Sequence, residues 1–559
     1  MILYKKVADI LEPILQTSIA HALEQPKNLA HGDIALPVFV FAKGSNPAQF
    51  AAEWVKKVQE FLQNTPHSLI QSITNIGPFI NISINWTAIA TDILEQTYTQ
   101  TTKAQTVVID YSSPNIAKPF GIGHLRSTVI GNAIKNILQF CGHKVIGINY
   151  LGDWGTQFGK VICAYQLWGN QEKLKKDPIP YLLSLYVRFH EQAKQEPELE
   201  DKAREIFSQL EKGNEQYLAY WKEFRELSIG EFERMYAKMN VTFDYFRGEA
   251  YYNTQLESTF EKLKNLTQIS EGATIIPLEE FNIETPAMIK KSDGASTYLL
   301  RDIAAAIDRI ENFHADSVLY EVGSEQKLHF AQLKGVMAKY NADYEEKITH
   351  IDHGRYRFTD KKMSTRSGNI ILIEDVLQES VHRIEKIIEQ KNPALQNDAQ
   401  YQQIIQDIGI GAIIFADLKN DRTKEVVFDW EDILDIQGES GPYIQYVITR
   451  IHSLQKKVTQ TLPEPDTTLL TTEQDRLLLL KLSQFYETIE QCANTHKPHT
   501  LARYLLTLAQ LFNEYYAKHK IVDEKNLTLT STRLYLFSHV QKILTKGLQL
   551  LGVNAVEKM

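Results

Sequence analysis

Residues 113–128 read SPNIAKPFGIGHLRST, and this stretch decides how the middle of the chain folds. The run before it, Thr106–Tyr111, is almost wholly β-branched or aromatic and predicts a buried strand. From Leu125 onward apolar residues recur at helical spacing, which predicts a helix that stops at Gly142. A second strand is predicted at Val145–Tyr150. The result is a β–α–β unit whose glycine-bearing turn offers N–H groups and a positive dipole end to phosphate.

Three interpretations compete at this turn. A dinucleotide fingerprint, G-x-G-x-x-G, needs a third glycine where Arg126 stands, and it needs a ribose-binding acid where the second strand ends in Asn149 and Tyr150. A second interpretation is a glycine turn without a binding role, which only joins strand to helix. The third interpretation is a nucleotide-binding signature in which Gly121 and Gly123, which lack a Cβ, let a base or phosphate approach the backbone.

The third interpretation rests on a resemblance. Residues 113–128 resemble the class I aminoacyl-tRNA synthetase signature, whose core is His-Ile-Gly-His, in the form typical of arginyl-tRNA synthetases. Gly121 stands where the class usually has its first histidine, whereas His124 is retained. The run Asn149–Gly159 is also typical of that family.

A second motif, DKKMSTRSGN at residues 360–369, resembles the Lys-Met-Ser-Lys loop of the same class. A lysine there can follow the charge that develops on the leaving pyrophosphate. Thr365 replaces the family's second lysine, and a lysine shortly before the histidine motif, here Lys118, is thought to compensate. The resemblance implies that Lys118, His124 and Lys362 are catalytic. It implies ATP contacts from Gly121, Gly123, His124, Gly354, Lys362, Met363 and Ser364.

A guanidinium is planar and permanently charged, and it is best held by carboxylates with an aromatic ring nearby. Tyr298 and Asp302 are four residues apart and share a face if their segment is helical. The alternative is that Asp302 is an ordinary surface acid paired with Arg301 or Arg309. The resemblance implies an arginine site made of Ser113, Asn115, His124, Glu249, Tyr298, Asp302 and Gln326, with Asn115 and Gln326 on the α-amino or carboxylate group.

The C-terminal part is expected to contact RNA. Tyr443 and Tyr446 could stack on unpaired bases and Arg450 could reach phosphate. This segment and the later run around Arg503 resemble the anticodon-binding helical bundle of arginyl-tRNA synthetases. The alternative for each tyrosine is a place in the helical core.

Composition describes a large cytosolic enzyme. The 559 residues, 43% of them apolar, are expected to form about three or four domains. A net charge of −9 excludes a uniformly basic nucleic-acid binder, so any RNA surface must be local. Three scattered cysteines predict neither disulfides nor a structural metal site. No signal peptide and no apolar run near the ~18 residues of a membrane span are seen, so we expect a soluble, cytoplasmic protein that makes no membrane contact.

The predicted fold is multidomain α/β. Residues 1–103 predict an N-terminal α+β domain, with helices near Tyr4–Leu23 and Pro47–Leu62, an element at Ile34–Phe41, and strands Ile70–Ile76 and Phe79–Ile84. A Rossmann-type parallel-sheet catalytic core follows at 104–375, with a helical insertion at about 168–245, and it resumes through Ile289, Thr297–Leu300 and Ser317–Val322. A helical connector at 376–437 and an all-α bundle at 438–559 complete the chain. The resemblance implies that the N-terminal domain contacts tRNA.

The predicted function is ligation of L-arginine to its tRNA through an arginyl-adenylate. ATP with Mg²⁺, L-arginine and tRNA are the implied substrates, the chain is expected to act as a monomer, and the family implies that tRNA binds before arginine is activated. The main alternative is a synthetase-like RNA-binding or regulatory protein with impaired catalysis, which Gly121 and Thr365 keep open. A nicotinamide-dependent dehydrogenase is disfavoured by Arg126 and by the helical, tyrosine-rich C-terminal half.

Overall fold

The computed structural model describes residues 2–64, 69–100, 103–116, 118, 120–358 and 371–559. Two compact units divide the chain. The first unit comprises residues 1–99, 446–490 and 504–546, and the second comprises 100–445, 491–503 and 547–559.

The N-terminal segment of the first unit is an α+β domain, as expected. Its elements are α1 Ile2–Leu15, β1 Ile34–Pro37, α2 Pro47–Asn64, β2 Ile70–Ile76, β3 Phe79–Ile84 and α3 Trp86–Leu94. The strands form an antiparallel sheet in the order β1-β3-β2. Both predicted strands of the β2–β3 hairpin are confirmed. In β3 the alternating residues Ile80, Ile82 and Ile84 are buried, whereas a register shift between Ile70 and Ser72 leaves Ile70 and Ile73 as the buried apolar residues of β2.

The first helix is shorter than the sequence predicts. It ends at Leu15 rather than Leu23, because Gln16 adopts a left-handed conformation with φ of 53°. The carboxylate of Glu12 then accepts hydrogen bonds from the N–H groups of Ile19 and Ala20, at 2.7 and 3.1 Å, which stabilises the turn. The predicted element at Ile34–Phe41 is extended only as far as Pro37.

The second unit contains a parallel sheet with its connecting helices. The elements that carry the sheet are β4 Thr106–Asp110, α4 Gly123–Phe140, β5 Lys144–Asn149, β6 Tyr245–Phe246, α12 Tyr298–Glu311, β10 Ser317–Gly323, α13 Lys327–Tyr340 and β11 Ile348–His353. Helix α5 Thr156–Trp168 follows β5, and the predicted helical insertion at about 168–245 contains α6 Gln171–Lys176, α7 Pro178–Ala193, α8 Glu198–Glu211 and α9 Glu215–Lys238. The remaining elements up to β11 are α10 Glu249–Tyr252, α11 Leu256–Leu263, β7 Gln268–Ser270, β8 Ala273–Ile276 and β9 Ala287–Lys290.

The parallel sheet has the strand order β11-β10-β4-β5-β6. Its central strands are continuous apolar runs because helices cover both faces, as in α/β proteins. The chain passes from β4 to β5 on one side and later returns to place β10 on the other side of β4. Strand progression therefore reverses between β4 and β10, and the crevice at the carboxyl ends of these two strands is where open α/β sheets bind ligands.

Two parts of the second unit differ from expectation. Thr297–Leu300 does not continue a strand: Thr297 caps α12, because its Oγ1 accepts the N–H of Leu300 at 3.4 Å. Strands β7, β8 and β9 form a separate antiparallel sheet, of which the sequence indicated only Ile289.

The chain after β11 is mostly helical, as predicted. It contains β12 Tyr356–Phe358, α14 Ile373–Lys391, α15 Tyr401–Leu418, β13 Val426–Phe428 and α16 Trp430–Leu434. Five helices follow: α17 Gly441–Lys457, α18 Glu473–Ser483, α19 Phe485–Thr495, α20 His499–Lys518 and α21 Leu527–Leu550. Beyond Asp375, β13 is the one strand of the described residues, and it pairs in parallel with β12.

Candidate active site

The candidate residues gather at the carboxyl edge of the parallel sheet. Ser113 and Asn115 follow β4, and Gln326 lies in the short turn that follows β10. His124 lies in the first turn of α4. These elements meet at the crevice between β4 and β10, so the sheet topology brings together side chains that are distant in sequence.

The turn after β4 is held in a strained backbone conformation. Ser112 and Ser113 both have positive φ, 72° and 47°, which non-glycine residues rarely adopt. The Ser112 hydroxyl lies 2.7 Å from Thr128 Oγ1 and 2.8 Å from the Tyr236 hydroxyl. The Ser113 hydroxyl donates to Asp110 Oδ1 at 3.0 Å. These bonds fix the direction in which the chain leaves the strand towards the signature turn.

His124 lies at the amino end of a helix. Burial lowers its pKa, and the positive charge of Lys118 lowers it further. One ring nitrogen, Nδ1, lies 3.3 Å from the carbonyl oxygen of Gly121. The residue before the helix, Ile122, is apolar and its side chain caps nothing, so the positive end of the helix dipole faces the same crevice. Lys118 is exposed beside this turn.

The second predicted motif lies outside the described residues, and with it Lys362, Met363, Ser364 and Thr365. The described residues that flank this motif on either side lie close to the signature. Strand β12 ends at Phe358, just before it. After it, the N–H of Ile122 donates to the carbonyl of Ile371 at 2.9 Å, and the N–H of Ile373 donates to the carbonyl of Phe120 at 3.0 Å. Backbone pairing therefore holds residues 371–373, which follow the motif, against the histidine turn.

Acidic side chains gather beyond the end of β5, where the N–H of Glu249 donates to the carbonyl of Leu151 at 3.1 Å. Glu249 begins α10, and its Oε2 is buried with no hydrogen-bond partner among the described residues. Burial raises the pKa of Glu249 to about 8; the charge of Arg301 lowers it, and the carboxylates of Asp302 and Asp153 raise it. Burial and the same Asp302 and Glu249 carboxylates raise the pKa of Tyr150. Carboxylates gathered around an unpaired buried oxygen favour a cationic ligand.

Asp302 and Tyr298 stand one turn apart at the start of α12, so the helical spacing assumed from the sequence is observed. Tyr298 is 61% exposed, and Asp302 Oδ2 lies 2.6 Å from His329 Nε2. The alternative partners have other bonds: Arg309 Nη2 donates to Asp110 Oδ2 at 2.7 Å, and Arg301 Nε donates to Asn253 Oδ1 at 3.1 Å.

Two further predicted residues differ in their surroundings. Asn115 is exposed and packs against Gly152, where a Cβ would come within 2.0 Å of the Asn115 Oδ1. Gly354 is buried; its N–H donates to the Arg422 carbonyl and its carbonyl accepts from Arg126 Nη1, both at 2.8 Å. An ATP contact from Gly354 stays a prediction, since these bonds already use its backbone.

The predicted RNA-contacting residues are partly buried in the helical region. Arg450 donates to Asn513 Oδ1 at 2.7 Å and to the Tyr446 hydroxyl at 3.1 Å, and its guanidinium carbon lies 4.7 Å from the centre of the Tyr446 ring. Tyr443 is half-buried. A phosphate contact by Arg450 would have to compete with these bonds, and all three roles stay predictions.

Sequence reasoning assigned no site role to three residues that lie near these acids. Arg309 and Asp110 form a buried ion pair, and the Arg309 guanidinium carbon lies 5.5 Å from the centre of the Tyr150 ring. His329, which bonds Asp302, was not among the predicted residues. Asp110 was the one detectable signal, because an acid at the end of an otherwise apolar strand needs a buried partner.

Within the described residues, no group of three or more His, Cys, Asp or Glu side chains is arranged to hold a metal ion. No helix of the described chain is long and apolar enough to cross a membrane.

Three family models match successive parts of the chain. Residues 1–84 match the arginyl tRNA synthetase N terminal domain, 88–430 the catalytic domain of tRNA synthetases class I (R), and 444–559 the DALR anticodon binding domain. An arginine--tRNA ligase of Streptococcus pneumoniae (strain Taiwan19F-14) is 41% identical over 567 residues, covering 99% of this chain and 98% of that protein. One from Exiguobacterium sibiricum is 40% identical over 572 residues, covering 100% and 98%. The solved arginyl-tRNA synthetase of Thermus thermophilus shares the fold, with a TM-score of 0.83, 22% identity and complete coverage of both chains.

Proposed function

The chain belongs to the arginyl-tRNA synthetases of class I, and on that premise we propose which of its residues perform each part of the reaction. It is an arginine--tRNA ligase that forms an arginyl-adenylate from ATP and passes arginine to tRNA. The alternative of an impaired, regulatory relative has no support, since all three domains match and the full-length relatives are named as ligases. The dehydrogenase alternative needs a ribose-binding acid at the end of β5, but Asn149 stands there. Asn149 is buried and donates to the Tyr236 hydroxyl.

Glu249 and Asp302 hold the guanidinium of arginine in this proposal, with Tyr298 beside them. The observation that supports it best is the unpaired, buried Glu249 Oε2, whose pKa is raised in part by Asp302. A guanidinium would supply the missing donors and favour both carboxylates in their charged form. Ser113, Asn115 and Gln326 then orient the α-amino and carboxylate groups from the ends of β4 and β10.

Activation needs no protein nucleophile. The arginine carboxylate attacks the α-phosphorus of ATP, forming the mixed anhydride as the bond to pyrophosphate breaks. His124 donates a hydrogen bond to the phosphates, and the amino end of α4 and Lys118 stabilise the added charge. Lys362, with Met363 and Ser364, acts on the leaving pyrophosphate, and Gly121 and Gly123 let ATP approach the backbone.

Mg²⁺ enters this scheme with ATP, because it prefers phosphate oxygens and water to a dedicated protein cage. The chain works as a monomer in the cytoplasm. Sedimentation at micromolar concentration tests the monomer, and a dimer there would contradict it.

An arginine-dependent ATP–pyrophosphate exchange assay, run with and without tRNA, tests the activity. We expect exchange with arginine and none with citrulline, its neutral isostere. Absence of arginine-dependent exchange under both conditions would contradict the proposed roles of the pocket and the histidine turn together.

Two surfaces are proposed to contact tRNA. One is the helical segment of Tyr443, Tyr446 and Arg450, and the other is the N-terminal domain, where the exposed rings of Phe39 and Phe79 pack edge to face, 5.6 Å apart. Replacing Tyr443 by Ala should weaken tRNA binding by about 1–3 kcal/mol, the scale for one stacked base. A lower melting temperature with unchanged binding per folded molecule would assign Tyr443 to the core instead.

A further inference from the structure

One arginine of the signature helix holds three separate segments together. Arg126 lies two residues after His124 on α4 and is only 1% exposed. Its Nε donates to Asp417 Oδ2 at 3.1 Å, on α15. Its Nη1 donates to the backbone carbonyls of Gly354 and Lys424, both at 2.8 Å. The fork of this guanidinium therefore fixes the region after β11 and the turn before β13 against the helix that begins at the histidine turn.

Tyr356, two residues after Gly354, adds a further side chain to this cluster. Its hydroxyl donates to the same Oδ2 of Asp417, and the Arg126 guanidinium carbon lies 5.8 Å from the centre of its ring. Tyr356 opens β12, which ends at Phe358. Residues 371–373, on the far side of the second motif, pair with residues 120–122 of the signature. Residues 371–373 thus pair with the residues just before His124, and Tyr356 bonds Asp417, the partner of Arg126, which lies two residues after His124.

Stability alone is a weak reason for such a cluster. Removing two charges from water costs several kcal/mol per ion, and apolar residues of similar volume often stabilise a core as well or better. What a buried guanidinium adds is directional hydrogen bonding, because its donors define the relative placement of the groups that accept from them. Placement to within about 1 Å matters where phosphate stabilisation depends on groups from different segments.

We propose that Arg126, Asp417 and Tyr356 are positioning residues for arginine activation, which set strand β12 relative to the amino end of α4. The proposal rests on the proposed function, in which His124 and Lys362 act together on ATP. The cluster acts through the amino end of α4, where His124 lies, and touches no substrate. The proposal concerns only the described residues on either side of the second motif.

The test is Tyr356→Phe, which keeps the ring and removes only the hydroxyl that bonds Asp417. We expect kcat for arginine-dependent pyrophosphate exchange to fall about 10- to 100-fold, the scale for a small misplacement of reacting groups. The KM for arginine should stay within about twofold of wild type, since the acidic pocket keeps its own bonds.

The matched control is Tyr515→Phe. The Tyr515 hydroxyl donates to Asp475 Oδ1 at 2.7 Å, also a buried carboxylate, but in the first unit. Its loss should lower the melting temperature to a similar degree and leave kcat unchanged. Asp417→Asn combined with Tyr356→Phe should slow exchange by less than the product of the single effects, because both act through one cluster.

An unchanged kcat in Tyr356→Phe, or a rise confined to the KM for arginine, would overturn the positioning role. Absence of exchange in the wild-type protein would instead overturn the proposed function, so the two failures are distinguishable.

Discussion

At the scale of single residues, Glu249 predicts that arginine binding is coupled to a proton. Its pKa of about 8 means that the Glu249 carboxyl is mostly protonated at pH 7 when no arginine is bound, whereas a bound guanidinium favours the charged carboxylate. Binding therefore releases a proton below pH 8, and the KM for arginine should fall as pH rises from 6 to 8, by up to about tenfold per pH unit, and then level off. Calorimetry in two buffers with different ionisation enthalpies measures the released proton.

The variant Glu249→Gln is the control for this coupling, since it stays neutral at every pH. Its KM for arginine should be higher than that of wild type at pH 8 and nearly independent of pH between 6 and 8. A pH dependence that persists in Glu249→Gln would assign the proton to another group.

We expect the Asp302 carboxylate to determine the selectivity for arginine. Asp302→Asn keeps the shape but removes the charge and one acceptor, which costs about 1.5–3 kcal/mol or more for a charge-assisted bond. The KM for arginine should rise roughly tenfold to a few hundredfold, the KM for ATP should change little, and preference over citrulline should collapse. Glu311→Gln is the control, because that acid lies at the other end of α12 and pairs with Lys262 on the surface. Full preference for arginine in Asp302→Asn would place the guanidinium elsewhere.

At the scale of elements, the turn between β4 and α4 predicts that Lys118 supplies part of the positive charge that stabilises the phosphates. Lys118→Ala should lower the activation rate by roughly 10²–10³-fold, the scale for losing one preorganised stabilising group. It should also raise the pKa of His124, because the Lys118 charge helps to lower that pKa. The pH profile of exchange and a titration of the His124 ring by NMR measure the two effects. Lys144→Ala, at the amino end of β5, is the control that should change neither.

The elements themselves show why some of this site was predictable. β4, α4 and β5 followed from apolar periodicity, which burial in the sheet enforces. The end of α1 did not, because it depends on the Glu12 carboxylate bonding the backbone seven and eight residues later. The partners of Asp302 and Asp110 also escaped prediction, since His329 and Arg309 reach them only through tertiary packing. Family motifs named candidate residues, but only the fold showed which of them share a pocket.

At the scale of the whole molecule, the first unit unites residues 1–99 with helices near the C-terminal end of the chain. Asp33, which is 3% exposed, is hydrogen-bonded to groups from both of these parts. One carboxylate oxygen accepts from Arg476 Nε at 2.6 Å and from the Trp86 indole N–H at 3.2 Å, and the other accepts from the Ile84 N–H at 2.7 Å. Three donors from both parts of the sequence therefore converge on one buried acid.

Asp33→Ala should destabilise this unit as a whole. The change leaves several buried donors without an acceptor and removes one side of a largely buried ion pair, which costs roughly 3–5 kcal/mol. Hydrogen exchange should then speed up in β3 and in α18 together, and calorimetry should show the unit melting about 10 °C lower. Asp92→Asn is the control in the same unit, because the Asp92–Lys6 pair is exposed and should contribute less than about 1 kcal/mol. If exchange speeds up in β3 while α18 stays protected, the N-terminal segment and the helices fold independently, and Asp33 stabilises only its own sheet.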